Sequence, residues 1–370
     1  MTGNNDLKFI ERCLELASKA SGMTYPNPLV GSVIVHEGEI IGEGYHLKAG
    51  GPHAEVMAVN SVKNRELLAS SVIYVNLEPC SHTGKTPPCA NLIISHKIPV
   101  VVVGTLDSSE KVSGKGLSKM REAGCKVIVG VAEDHCRMIN KRFFSFHEKK
   151  RPYITLKWAQ SADGFIDIIR EKEKQSGPGW ITGKPERILV HKWRAEEQAI
   201  LVGGGTVRSD NPLLNVRDWN GNNPVRLILS GSGMIPQELA MNKLIGSQVI
   251  FSFYPEKIKS PGSVLVKLNN HEPSAVQILD YLYRWGIQSL FIEGGAGVLN
   301  HFIRLGLWDE ARTFCGDQIY KDGVKAPEID GKLSLKTKFS KSRLEILINP
   351  LNPILDLSDL PRILDPSFVI

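Results

Sequence analysis

The run Pro52-His53-Ala54-Glu55, followed by Pro79-Cys80 and then Cys89, places a histidine, a carboxylate and two thiols where they can do chemistry together. His53, Cys80 and Cys89 can fill three corners of a tetrahedral zinc site. The fourth corner is then left for a water, as a catalytic rather than a structural zinc requires. Two thiolates cancel the charge of the dication, so that water is acidified less than it would be beside three histidines. A carboxylate must take its proton and pass it to the leaving group, and Glu55 is the candidate. The same residues also admit a closed zinc knot, with His82 as the fourth ligand, or buried cysteines without metal.

The local sequence suits the first of these readings. Gly50-Gly51-Pro52 breaks the chain just before His53, and the run to Val59 reads as a helix start. Side chains two apart point about 200° apart in mid-helix, so His53 and Glu55 can meet one metal only near a helix end. Val72-Ile73-Tyr74-Val75-Asn76-Leu77 reads as a buried strand, with Glu78-Pro79-Cys80 where it ends. A thiolate at a strand-to-helix junction gains from the N–H groups of the next helix. His-x-Glu followed by Pro-Cys and a second Cys is the signature of zinc-dependent deaminases.

At 370 residues the chain exceeds the usual size of one domain. A hydrophobic content of 42% with 23% charged residues is ordinary for a soluble globular protein. No apolar run approaches the ~20 residues of a membrane span, and the polar start Met1-Thr2-Gly3-Asn4-Asn5-Asp6 does not read as a signal peptide. Beyond the zinc motif, Cys13, Cys125, Cys136 and Cys315 are scattered, which points to a reducing cytoplasm. A net charge of +6 suits phosphate-bearing ligands, and no Lys/Arg stripe argues for nucleic acid.

Leu7, Ile10, Leu14 and Ala17 share a helical face behind Asp6, which reads as an N-cap. Leu29–Val35 and Glu39–Tyr45 read as strands joined by a turn at Glu37-Gly38. A helix is expected after Cys89, with short buried strands at Val100–Gly104 and Cys125–Val129. This alternation gives an α/β sheet sandwiched by helices, with a boundary in His147-Glu148-Lys149-Lys150-Arg151-Pro152. The expected domains are therefore 1–147 and 148–370. A second alternation starts at Tyr153–Lys157 and continues through strands at Ala199–Val202, Arg226–Leu229, Gln248–Phe251 and Ser289–Ile292. Two of these run into glycines, Gly203-Gly204-Gly205-Thr206 and Glu293-Gly294-Gly295-Ala296-Gly297, which suggest phosphate cradles or simply tight turns. Residues 171–179 read as a mobile surface loop, and the chain after about 330 as less regular.

The loop Glu78-Pro79-Cys80-Ser81-His82-Thr83-Gly84-Lys85-Thr86-Pro87-Pro88-Cys89 is longer than the Cys-x-x-Cys of generic nucleobase deaminases. Together with Thr24-Tyr25-Pro26-Asn27-Pro28-Leu29-Val30-Gly31, Gly42-Glu43-Gly44-Tyr45-His46 and Val112-Ser113-Gly114-Lys115-Gly116, it resembles the bifunctional riboflavin biosynthesis proteins of bacteria. The second half resembles the reductase of that family through Ala159-Gln160-Ser161-Ala162-Asp163-Gly164, Trp180-Ile181-Thr182, Gly205-Thr206-Val207, Asp210-Asn211-Pro212-Leu213 with Arg217, and Glu293-Gly294-Gly295. The resemblance implies a cytidine-deaminase-like α/β/α sandwich followed by a dihydrofolate-reductase-like α/β domain.

It also implies one zinc per chain, NADPH, a phosphorylated pyrimidine ribosylamine substrate and a homo-oligomer, dimer or tetramer. Neither a nucleic acid nor a membrane is implied as a partner. Asn27, His46, His82 and Lys85 would contact the deaminase substrate. Arg194, Asp210, Leu213, Arg217 and Glu293 would line the reductase substrate. Gln160, Trp180, Val202, Thr206 and the turn Gly295-Ala296-Gly297-Val298-Leu299 would line the cofactor, with Lys157 or Glu293 polarising the reacting carbon. Read without the resemblance, Lys85 is also a solvated loop charge, His46 a strand-end residue, and Trp180 and Leu213 core residues. The chain departs from the family pattern at Ala162, Pro178, Asn211 and Ser230-Gly231. Competing readings are a nucleic-acid deaminase, a deaminase with an inactive reductase domain, and a zinc-stabilised interaction protein.

Overall fold

The computed structural model of the chain describes residues 4–81, 87–109, 114–169, 179–244 and 246–352. It divides into two compact units, Met1–Lys150 and Arg151–Ile370.

The first unit carries β1 (Gly31–His36), β2 (Glu39–Tyr45), β3 (Val72–Leu77), β4 (Val100–Thr105) and β5 (Lys126–Val129), in the sheet order β2-β1-β3-β4-β5. Glu37 and Gly38 both have positive φ, 48° and 84°, the conformation that closes a two-residue hairpin between β1 and β2. β3, β4 and β5 are parallel and need crossover helices. The helices are α1 (Asn4–Ser18), α2 (Ala54–Ser61), α3 (Cys89–Ser95), α4 (Lys115–Glu122), α5 (Glu133–Ile139) and α6 (Lys141–Lys149).

Side chains alternate across a strand. Ile73 and Val75 of β3 therefore join Val59, Ile93 and Met120 in one core, while Tyr74 joins Ile10, Cys13 and Cys136 in another. The result is a helix–sheet–helix sandwich. Asp6 is not the cap of α1, which starts at Asn4; its carboxylate accepts the Tyr74 hydroxyl at 2.8 Å. His147, Glu148 and Lys149, read from sequence as the start of a link, form the last turn of α6.

The second unit holds β6 (Tyr153–Gln160), β7 (Phe165–Asp167), β8 (Ala199–Gly203), β9 (Val225–Ser230), β10 (Gln248–Ser252), β11 (Val264–Lys267), β12 (Ser289–Glu293), β13 (Glu310–Cys315), β14 (Val324–Lys325), β15 (Lys332–Phe339) and β16 (Ser342–Ile348). Its main sheet has the order β11-β10-β9-β8-β12-β6-β13-β16-β15, with β7 and β14 paired separately. The seven strands from β11 to β13 are parallel, and β16 and β15 close the edge as an antiparallel hairpin. The helices are α7 (Lys184–Glu196), α8 (Gly204–Asp210), α9 (Ser274–Arg284) and α10 (Ala296–Arg304).

The chain leaves β6, skips a place to β8, runs outward to β11 and returns to insert β12 between β6 and β8. Such a reversal opens a crevice at the carboxyl ends of the strands. Of the stretch after residue 330, read as less regular, residues 332–348 form β15 and β16, and residues 353–370 lie outside the described residues. Leu333, Leu335, Thr337 and Phe339 alternate there with Lys332, Ser334, Lys336 and Lys338, the period of two of a half-exposed strand, with the lysines on an edge where charge discourages further pairing. Residues 171–178, read as a mobile loop, lie outside the described residues.

Candidate active sites

In the first unit the three ligand candidates arrive from three element ends. His53 is the N-cap of α2, Cys80 follows the end of β3, and Cys89 is the first residue of α3. Two helix N-termini therefore face the cluster, where anionic sulfur is favoured. His53 Nδ1 lies 3.5 Å from Cys80 Sγ and 3.3 Å from Cys89 Sγ, and all three ligand atoms fall within 4.8 Å of one another. Metal–ligand arms of about 2.1 Å to nitrogen and 2.3 Å to sulfur, set at tetrahedral angles, span roughly 3.6 Å. The donor set and its spacing thus fit zinc.

The backbone N–H of Cys89 also donates to Cys80 Sγ, at 3.4 Å. Hydrogen bonds from Cys89 and His53 hold the Cys80 thiol low, at about 4, while Cys89 is pushed up by sharing its proton with Cys80 and by burial. Glu55 is 3% exposed. Its burial, and then the Cys80 charge, raise its carboxyl above the ordinary range.

Asn27 and His46 lie beside these groups and bond to each other. His46 Nδ1–H donates to the Pro52 carbonyl at 2.9 Å, leaving Nε2 to accept the Asn27 amide at 3.0 Å. The His46 ring stands edge-on to His53, with centroids 5.5 Å apart, and burial lowers its pKa. α2 is pressed onto β2 so closely that a Cβ on Gly44 would sit 2.4 Å from Met57 Cβ and 2.5 Å from the Ala58 nitrogen. His82 and Lys85 lie outside the described residues.

Among the described residues of the second unit, two adjoining cavities of about 520 and 460 Å³ both border Gly205, Thr206 and Gly295. The larger opens at the carboxyl ends of β6, β12 and β8. Lys157 and Glu293 are cross-strand neighbours in the β6–β12 register. Arg194 grips Glu293 with two bonds of 2.7 Å. Burial lowers the Lys157 pKa. Glu293 is held low by Arg194 and then Lys157, which together outweigh the opposing effect of burial. Asp210, Leu213, Arg217, Val202 and Trp180 also line this cavity. Trp180 is not a core residue; it is 49% exposed, with the Arg187 guanidinium 4.5 Å above its ring.

The smaller cavity is bordered by the two glycine turns, by Arg208, Ser230, Gly231 and Ser232, and by Val298, His301 and Arg304 of α10. The Thr206 hydroxyl ties the turns together by accepting the Gly295 N–H at 3.0 Å, which leaves its own proton free to donate. Ser230 Oγ is buried with no partner among the described residues. A Cβ on Gly204 would lie 3.3 Å from that oxygen and 3.4 Å from Arg208. A glycine-floored cradle with an orphaned hydroxyl and two arginines fits a phosphate-bearing dinucleotide.

Three of the expected cofactor residues do not line either cavity. Gln160 instead accepts the Trp158 indole N–H at 2.8 Å, Leu299 is fully buried in the core, and Ala296 starts α10 behind the turn. The turn therefore reaches the cavity through Gly295, Gly297 and Val298. His191, unnamed in the sequence reading, borders the larger cavity. Its signal was present as Arg187, His191 and Arg194, which share one face of α7 at helical spacing.

Residues 3–105 match the family described as the cytidine and deoxycytidylate deaminase zinc-binding region, and residues 152–319 match the RibD C-terminal domain. The riboflavin biosynthesis protein RibD of Aquifex aeolicus is 39% identical over 330 residues, covering 88% of this chain and 90% of the relative. The chain belongs to the RibD family of riboflavin biosynthesis proteins. A crystal structure of a diaminohydroxyphosphoribosylaminopyrimidine deaminase/5-amino-6-(5-phosphoribosylamino)uracil reductase from Thermotoga maritima superposes with a TM-score of 0.84 at 35% identity, over 93% of this chain and 99% of that one. The RibD of Acinetobacter baumannii gives 0.82 at 30% identity, over 93% and 98%. The chain is thus a bifunctional enzyme of riboflavin biosynthesis, with a zinc-binding deaminase region and a reductase domain.

Proposed function

We propose that the first unit hydrolytically deaminates 2,5-diamino-6-(5-phosphoribosylamino)pyrimidin-4-one. The second unit would then reduce the ribosyl group of the resulting 5-amino-6-(5-phosphoribosylamino)uracil to ribityl with NADPH. The observation that carries this reading is the pairing of a His53/Cys80/Cys89 cluster beside buried Glu55 with a cation-rich cavity that adjoins a glycine-lined one.

His53, Cys80 and Cys89 would hold zinc, which would supply the Lewis acidity that makes the attacking water a nucleophile at neutral pH. Glu55 is the proton carrier. Burial raises its affinity for a proton, so it can take one from the attacking water and deliver it to departing ammonia. Asn27 and His46, already bonded to each other, form one wall for the substrate. Lys85 and His82 of the long cysteine loop are assigned to its phosphate end.

NADPH supplies a hydride, and the ribose must open to present an imine or carbonyl-like carbon to it. Arg194, Asp210, Leu213 and Arg217 position the substrate. Lys157, with its proton loosened by burial, is assigned to protonate or polarise the reacting centre beside Glu293. Val202, Trp180, Thr206, Gly295, Gly297 and Val298 would hold the cofactor. Ser230, Ser232 and Arg208, which border the smaller cavity, would hold its 2′-phosphate, a charge-assisted contact of about 1.5–3 kcal/mol. The protein acts as a homo-oligomer in a reducing cytoplasm; its scattered free cysteines support that compartment.

The test is an assay of both half-reactions on the phosphorylated substrates. Ammonia release should need zinc, and hydride transfer should favour NADPH over NADH by roughly ten- to a hundredfold in kcat/KM. Equal efficiency with both cofactors would remove the 2′-phosphate assignment. No ammonia from the zinc-loaded protein would remove the deaminase substrate.

A further inference from the structure

Arg217 stands in an irregular stretch, residues 214–223, whose backbone is held by side chains. Arg194 Nη1 donates to the Asn215 carbonyl at 3.1 Å, and Asn223 Oδ1 accepts the Val216 N–H at 2.7 Å. His191 Nδ1 accepts the Arg217 N–H at 3.2 Å. With Nδ1 accepting, the ring proton lies on Nε2, which is 3.5 Å from Asp218 Oδ2. One imidazole therefore holds two consecutive residues of the stretch. His191 and Arg194 are three apart on α7 and reach across together. Arg194 is itself locked to Glu293, so the stretch is referenced to the end of β12.

We propose that His191 is a positioning residue of the reductase, which fixes the backbone at Arg217 so that this guanidinium meets the substrate in the larger cavity. The proposal rests on the reading of Arg217 as a substrate group. His191 is 3% exposed, whereas Arg217 is exposed at the cavity rim. Water can satisfy the Arg217 N–H if the imidazole is lost, so the loss is one of position more than of stability. Displacement of a substrate-holding group by about 1 Å can cost as much as a hundredfold in rate.

The two ring nitrogens allow a clean test. An asparagine carbonyl stands near the place of Nδ1 and can accept the same N–H. A glutamine carbonyl reaches the place of Nε2 and cannot. In the full-length protein, His191→Leu and His191→Gln should each raise KM for the deaminated, phosphorylated intermediate about tenfold, with KM for NADPH within about twofold, and His191→Asn should recover most of the loss. NADPH titration of each variant shows that the second unit is folded, and the glutamine variant stands in if the leucine variant is not.

The double variant His191→Leu/Arg217→Ala should be no worse than Arg217→Ala alone. Additive losses, or asparagine no better than glutamine, would overturn the proposal while leaving Arg217 a substrate group. An Arg217→Ala variant with unchanged KM would overturn the reading of Arg217 and this proposal with it.

Discussion

The two catalytic regions are built on opposite plans. The zinc cluster draws its three ligands from a short piece of chain, His53 to Cys89, each at the start or end of a helix or strand. The reductase cavity draws Lys157 from β6, Arg194 from α7, Asp210 from α8 and Glu293 from β12, and only the return of β12 between β6 and β8 brings them together. A site of the first kind depends on local geometry around one ion. A site of the second kind depends on pairings between distant segments, and its charges must satisfy one another when buried.

The largest expected effect isolates the first plan. Glu55→Gln should leave zinc at one per chain and lower deamination by about 10³-fold or more, as loss of a general acid–base does, while reduction of supplied deaminated intermediate is unchanged. Metal analysis and the two separate assays read it. Loss of zinc in that variant would make Glu55 part of the metal site and blur the division of roles.

The counterpart in the second unit is Glu293→Gln. It leaves Arg194 and Lys157 close together with no carboxylate between them. Breaking a buried pair by removing one partner costs about 3–5 kcal/mol, so this variant should lower the unfolding temperature of the second unit as well as abolish reduction. Retention of stability together with lost reduction would make Glu293 purely chemical and weaken the contrast between the plans.

A third variant asks how far the zinc cluster depends on packing. Gly44→Ala would drive a methyl to 2.4 Å from Met57 Cβ and 2.5 Å from the Ala58 nitrogen, atoms fixed to the helix backbone that cannot yield as a flexible side-chain end would. Overpacking of this kind costs about 1–3 kcal/mol. Because α2 carries His53 at its N-cap, zinc affinity should fall alongside stability. Full zinc retention with lost stability would show that the ligands are set by their turns and not by the helix against the sheet.

These plans also explain what could be read from the chain. His53, Glu55, Cys80 and Cys89 were legible because their residue types are rare at that spacing and their turns are marked by glycine and proline. Apolar strands buried on both faces were legible, as at Val72–Leu77, whereas β13, equally buried but carrying Glu310, Arg312 and Thr313, was not. The β15–β16 hairpin carried a strand signal too, since Leu333, Leu335, Thr337 and Phe339 alternate with Lys332, Ser334, Lys336 and Lys338, yet that stretch was read as less regular. His191 shares the cavity-facing side of α7 with Arg187 and Arg194, a spacing visible in the sequence, but its contact with the Arg217 backbone is not. Leu299, expected from its glycine turn beside the cofactor, is carried by the helical twist of α10 into the core.

A fourth prediction uses pH to probe the His191 contact. Burial, and then the nearby Arg194 and Arg217 cations, hold His191 down at about 4; Asp218 and Glu293 oppose this only in part. A folded pKa below the unfolded value near 6.5 means that between about pH 6.5 and 4 the unfolded chain binds the extra proton. Stability of the second unit is therefore fully present above pH 6.5 and declines as the pH falls through this window. In His191→Asn this component of the decline should vanish. Parallel melting curves for the two proteins from pH 7 to 4 would show that His191 takes up its proton without resistance in the fold.

The smallest effect expected is at Asn211, one of the positions read from sequence as departing from the family pattern. Asn211 closes α8 with φ at +40°, a left-handed conformation that asparagine tolerates better than most residues. Its Oδ1 accepts the Ala240 N–H at 2.9 Å, a bond that an aspartate oxygen can equally accept. Asn211→Asp keeps the bond and the backbone, and adds only a negative charge at a helix C-terminus beside Asp210, which costs about 0.3–1 kcal/mol. Asn211→Ala removes the acceptor and places an ordinary side chain at positive φ, so it should cost more, about 1–2 kcal/mol. Denaturant unfolding of the two variants, with reductase KM alongside, gives the ranking. Aspartate as harmful as alanine would mean that the amide N–H₂ has a partner that matters, and that this departure from the family pattern shapes the cavity instead of merely closing a helix.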